Sequence, residues 1–144
     1  ASPTGVPGMS NSPSAVAYPD AATIMVLYQD YGAAGRLTGA SMSGGQWQPL
    51  VPGNQDLTIT NLTSGGARYM SDSPAAVVWT LPGQTTPGVW ATLPGTSSSG
   101  IIHLVRYDGQ QWTNQMDFPT AFSPNTTPTL LNYQGNLLGF YIKD

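Results

Sequence analysis

Four Trp and seven Tyr sit in a chain whose charged residues amount to only 8%. Flat aromatic faces pack against the C–H patches of sugars, and Ser, Thr, Asn and Gln supply neutral hydrogen bonds to hydroxyls. Tyr18, Tyr28, Trp79, Trp90 and Tyr133 are the residues expected to form such a platform, with Arg36 and Arg106 as a polar grip beside it. The competing role for each aromatic is packing inside the fold, and Trp47 and Trp112 are assigned to that role.

Other chemistries find fewer parts. A Ser or Cys triad needs a base, and the only histidine, His103, lies inside the apolar word Gly100 to Val105. With no Cys and no Glu, thiolate and ordinary zinc sites have no ligand set. The seven acidic residues are all Asp, and no two of them stand at an Asp-x-Asp spacing suited to a hard cation. A sialidase would gather arginines around a substrate carboxylate, whereas Arg36, Arg68 and Arg106 are dispersed. The expectation is a non-enzymatic protein without cofactor or metal. A net charge of -3 with four cations offers no footprint for a phosphate backbone, so nucleic acid is set aside. No apolar run approaches the roughly 20 residues of a membrane helix.

These residues have to be positioned by strands. Ser14 to Tyr18 and Thr23 to Gln29 (TIMVLYQ) have the length and the β-branched, aromatic content of buried strands, with Pro19 to Ala22 as the turn between them. Arg36 to Met42 and Gln46 to Leu50 follow, separated by Ser43-Gly44-Gly45. Residues 1 to 13, punctuated by Pro and Gly, read as an extended lead-in or edge strand. Later come AAVVWTL from Ala75, GVWATL from Gly88, GIIHLVRYDG from Gly100 and QQWTNQM from Gln110. PTLLNY from Pro128 and NLLGFYI from Asn136 complete the set. Apolar residues never recur at helical spacing without a nearby Gly or Pro, so the chain is expected to be all-β, in one domain over residues 1-144.

The strands repeat. The phrase opening Asn11-Ser12-Pro13 and closing Gly45-Gln46-Trp47 returns between Asp72-Ser73-Pro74 and Gln110-Gln111-Trp112, and a shortened copy runs from Pro128. The copies span approximately 11-50, 72-116 and 128-144. Residues 53-71, with the alternating Leu57-Thr58-Ile59-Thr60, read as an inserted hairpin or elongated connection. Four short strands closed by Gly-x-Trp is the pattern of a β-propeller blade.

The words Ala15-Val16-Ala17-Tyr18, Ile24 to Gln29, Gly44-Gly45-Gln46-Trp47 and Arg106 to Trp112 resemble the blade repeat of the fucose-binding lectins of fungi and bacteria, which are six-bladed propellers. That resemblance implies blades of short antiparallel strands, about two and a half per chain, and glycans as partners. It also implies a strand-two Arg and a strand-three Glu that grip the sugar. Those places fall here at Met25 and Gly88, and near Gly39 and Leu104, so the resemblance carries over the scaffold and the aromatic part of a site. Two and a half blades do not close a ring, which leads us to expect a homo-oligomer, a dimer or trimer. The triplets Asn61-Leu62-Thr63 and Asn125-Thr126-Thr127 and an amino terminus at Ala1 suit a secreted or extracellular protein. The alternative is a secreted structural or protein-interaction module that keeps the scaffold without binding sugar.

Overall fold

A computed structural model describes residues 9–30, 37–50, 59–60, 70–95, 101–119 and 127–142. All regular structure in them is β, in three sheets. The first sheet is an antiparallel meander of β1 (Met9–Ala17), β2 (Ile24–Asp30), β3 (Leu37–Ser43) and β4 (Gln46–Pro49), in that order. After β5 (Ile59–Thr60), a second meander is formed by β6 (Ala75–Trp79), β7 (Gly88–Pro94), β8 (Ile101–Tyr107) and β9 (Trp112–Pro119). A hairpin of β10 (Thr129–Tyr133) and β11 (Asn136–Phe140) is the third sheet.

The edge-strand reading of the lead-in holds from Met9, and the hairpin reading at residues 59–60 needs adjusting. The lead-in is already strand from Met9, with an irregularity between Ser10 and Ser14 where Asn11 takes a left-handed φ of 58°. Ile59–Thr60 is not half of an isolated hairpin: it pairs in parallel with Trp112 and Thr113, as the outermost strand of the second sheet. The tight turns follow their residues. Gly44-Gly45 and Gln134-Gly135 carry positive φ at both central positions, the mirror-image turn that matches strand twist in a two-residue hairpin.

The sheets stack face to face along their first strands, β1 against β6 and β6 against β10. Alternation along each strand decides which side chains enter which seam. Met25 and Leu27 of the first sheet meet Val89, Ala91, Leu93, Val105 and Trp112 of the second, with Leu37 and Met70 completing a buried core against which the half-buried Val16 packs. Each Leu or Val enclosed there is worth about 1.5–3 kcal/mol relative to exposure. The free edge of β6 is satisfied from both sides. Ser14 Oγ accepts the Ala76 N–H at 2.9 Å, and Asn132 Nδ2 donates to the Val78 carbonyl at 3.1 Å. Ser73 Oγ accepts the Ser12 N–H at 2.9 Å, a second polar tie between first and second sheets.

Candidate functional site

The opposite face of the second sheet gathers polar-tipped aromatics instead. Trp79 ends β6 opposite Gly88, and Trp90 stands two pairs further along β7, opposite Val77. Two-residue alternation therefore puts both indoles on the face toward the hairpin, where their rings meet edge to face with centroids 5.0 Å apart. Arg106 is paired with Trp90 across β7 and β8, and its guanidinium lies 5.9 Å from the Trp90 ring centroid. Glycine is required at position 88 by this arrangement, since a Cβ there would stand 2.9 Å from Arg106 Nε and 2.8 Å from the Tyr107 carbonyl oxygen.

The cluster is anchored from both sides of the seam. Trp79 Nε1 donates to the Gly135 carbonyl at 2.7 Å, tying the indole to the tip of the hairpin. Arg106 Nη2 donates to Gln84 Oε1 at 2.8 Å, and Gln84 is set by a turn in which its N–H bonds to the Leu81 carbonyl at 2.9 Å. Trp90 Nε1 and Arg106 Nε are buried and meet no acceptor among the described residues. Trp79 is half-buried and Gln84 exposed, so the cluster reaches solvent. The arrangement combines a partly exposed cation, a half-buried indole backed by a buried one, and an exposed amide.

Further out along the same seam, an apolar cavity of about 230 Å³ opens between the two sheets, lined by Thr92, Ile102, Leu104, Phe118, Leu130 and Leu137 among others.

A second aromatic cluster closes the end of the first seam. Tyr18 meets Tyr107 edge to face at 6.0 Å, and Tyr107 stacks on Trp112 at 5.3 Å. The turn beside them is shaped by Asp108, whose Oδ1 accepts the N–H groups of Gln110 and Gln111, both at 2.9 Å. The Gln111 and Gln110 N–H donors hold the Asp108 carboxyl below its ordinary range. Burial, followed by the charge of Asp108, raises the Tyr18 phenol; burial, then Tyr18 and Asp108, raise that of Tyr107. Both phenols stay protonated at neutral pH.

Of the residues expected to bind, Trp79, Trp90 and Arg106 are brought together. Tyr18 joins the other cluster, and Tyr28 is buried on β2. Tyr133 is exposed on the far face of the hairpin, away from Trp79. Arg36 lies outside the described residues. Gln84, Gly135 and Tyr107 were not singled out from the sequence, since nothing local distinguishes a turn Gln or a hairpin carbonyl before the sheets are stacked. His103 Nδ1 is paired with Asp117 Oδ1 at 2.8 Å.

The places that hold a charged grip in the resembling lectins are filled by packing. Met25 is core, and Leu104 lines the apolar cavity. A Cβ at Gly39 would come within 2.6 Å of both Leu50 Cδ1 and the Val26 carbonyl oxygen. No family model, curated protein or solved structure matches the chain.

Proposed function

We propose that the chain is a non-enzymatic carbohydrate-binding protein whose two meanders and hairpin are the blades of a propeller-like ring, and which holds neutral glycans in the cleft at Trp79, Trp90 and Arg106. The observation that carries this reading is the composition of that cluster: a half-buried Trp79 indole set edge to face on Trp90, with the Arg106 guanidinium and the exposed Gln84 amide beside it. A ring stacks on an apolar sugar face while the guanidinium and the Gln84 amide select hydroxyl geometry. The ordering of the sheets supports the blade reading, because each four-stranded meander begins with the strand that touches its neighbour's first strand. Neutral glycans fit better than acidic ones, since Arg106, the one cation there among the described residues, already shares its guanidinium with Trp90 and Gln84.

Screening the chain on an array of neutral and acidic glycans tests the reading, with Trp79→Ala as the control. Saturable binding to a neutral glycan, weakened at least tenfold by Trp79→Ala, is the expected outcome. An array without a binder for a folded chain would instead favour a secreted interaction module on the same scaffold, a reading supported by the apolar side chains at Met25 and Leu104.

A further inference from the structure

The three units are equivalent position by position. Their first strands follow Ser12-Pro13, Ser73-Pro74 and Thr127-Pro128, which aligns Val16 with Val77 and Leu131, and Tyr18 with Trp79 and Tyr133. Strand pairing extends the match to the second strands: Met25 pairs with Val16, Trp90 with Val77 and Leu138 with Leu131. In the first two units this forward row is covered by the back of the next unit. In the hairpin it is bare, with Leu138 37% exposed where Met25 is 3% exposed.

The first sheet shows the complementary omission. Its back face carries Ala17, Ile24 and Trp47 at the places where the second sheet has Val78, Val89 and Trp112. Trp112 is sealed in the first seam at 2% exposure, yet Trp47 stands 37% exposed. The hairpin thus presents a bare forward face, and the first sheet a bare back face.

We infer that a second copy of this chain covers both: the hairpin of one copy seats on the first sheet of the other, repeating the seam between first and second sheets. The polar ties of that seam support the match. It is held by Ser14 Oγ accepting Ala76 N–H and by Ser73 Oγ accepting Ser12 N–H. The hydroxyls needed to repeat both bonds are present at the open faces, with Thr129 at the place of Ser14 and Ser12 at the place of Ser73. Thr129 of one copy would accept the Ala15 N–H of the other, and Ser12 of the second would accept the Thr127 N–H of the first.

The number of copies follows from ring size. The described residues of each chain supply three first strands, β1, β6 and β10, so two copies supply six, within the four to eight units about which sheets close radially, and three copies overshoot that range. The two contacts of such a pair are identical and related by a two-fold axis. Each contact also builds a cleft that neither copy has alone, with Tyr133 facing the back of the partner's first sheet. The inference rests on the stacked-unit reading above and not on sugar binding.

Sedimentation of the 144-residue chain at micromolar concentration gives the test. Twice the chain mass is expected for the parent protein. Leu138→Asp and Trp47→Asp should each halve it, with the strand signal in circular dichroism retained, because both side chains are exposed in the single chain. Mixing the two variants should restore a pair, since one of its two contacts then has both faces intact. Where Trp47→Asp disturbs the first sheet, Ala17→Glu on the exposed side of β1 replaces it. A parent protein of single-chain mass, which would leave the face to another partner or to further polypeptide, overturns the inference. So does a mass of three copies or more, or a pair that survives both substitutions. The Trp79 cleft lies within one chain, so glycan binding by a monomer would overturn the pairing alone, and a dimer that binds no glycan would overturn the proposed function alone.

Discussion

The two seams of the molecule are built from equivalent rows and have opposite characters. Between first and second sheets the forward row is Val16, Met25 and Leu27, and the seam closes into a dry core bounded by Trp112. Between the second sheet and the hairpin the corresponding row is Val77, Trp90 and Thr92, with Arg106 where the first sheet has Ser41. A tryptophan in place of a methionine and an arginine in place of a serine are too large for the same gap. They place an edge-to-face indole pair and a guanidinium at one end of the seam and leave an apolar cavity at the other. One scaffold therefore yields an aliphatic seam and an aromatic, cationic seam from a few exchanges at fixed register.

If this contrast is right, truncation should act on different observables in the two seams. Leu93→Ala, in the closed seam, should cost 2–5 kcal/mol in urea denaturation, because Leu93 is fully enclosed and the neighbouring strands cannot collapse onto the gap. Trp79→Ala, in the open seam, should reduce glycan affinity tenfold or more, about 1.4 kcal/mol, while lowering stability far less than Leu93→Ala. Ser14→Ala removes the acceptor of the Ala76 N–H in a half-buried place and should cost about 1 kcal/mol of stability with no change in sugar binding. A fall in affinity there would blur the distinction between the seams.

The smallest effect concerns pH. The N–H bonds from Gln111 and Gln110 depress the Asp108 pKa in the folded chain. Its contribution is thus complete above the unfolded carboxylate value, about 3.9, and is lost as pH falls through the lower folded value. The melting temperature of Asp108→Asn should accordingly lie below that of the parent by a constant, small margin at neutral pH, and the margin should shrink below about pH 4.

Much of the scaffold was legible in the sequence because its signals are local. TIMVLYQ and GVWATLP announce buried strands through β-branched and aromatic content, and Gly44-Gly45 and Gln134-Gly135 sit at the tight turns. The parallel pairing of Ile59–Thr60 with β9 was not legible, since it joins segments far apart in the chain and two residues carry no register signal. The site was half legible. Aromatic richness picked out Trp79, Trp90 and Arg106, but only the β6–β7 and β7–β8 registers bring them onto one face. Tyr28 and Tyr133 have the same chemistry and differ from those residues in where stacking places them, which no window of sequence reports.

The most direct measurement follows the four indole N–H signals of a 15N-labelled chain, assigned by single Trp→Phe variants, during titration with the best neutral glycan. The account predicts saturable shifts at Trp79 and at Trp90, whose ring meets it edge to face, with Trp112 in the closed seam unmoved. Shifts centred on Trp112 or Trp47, with the Trp79 and Trp90 signals unchanged, would contradict it.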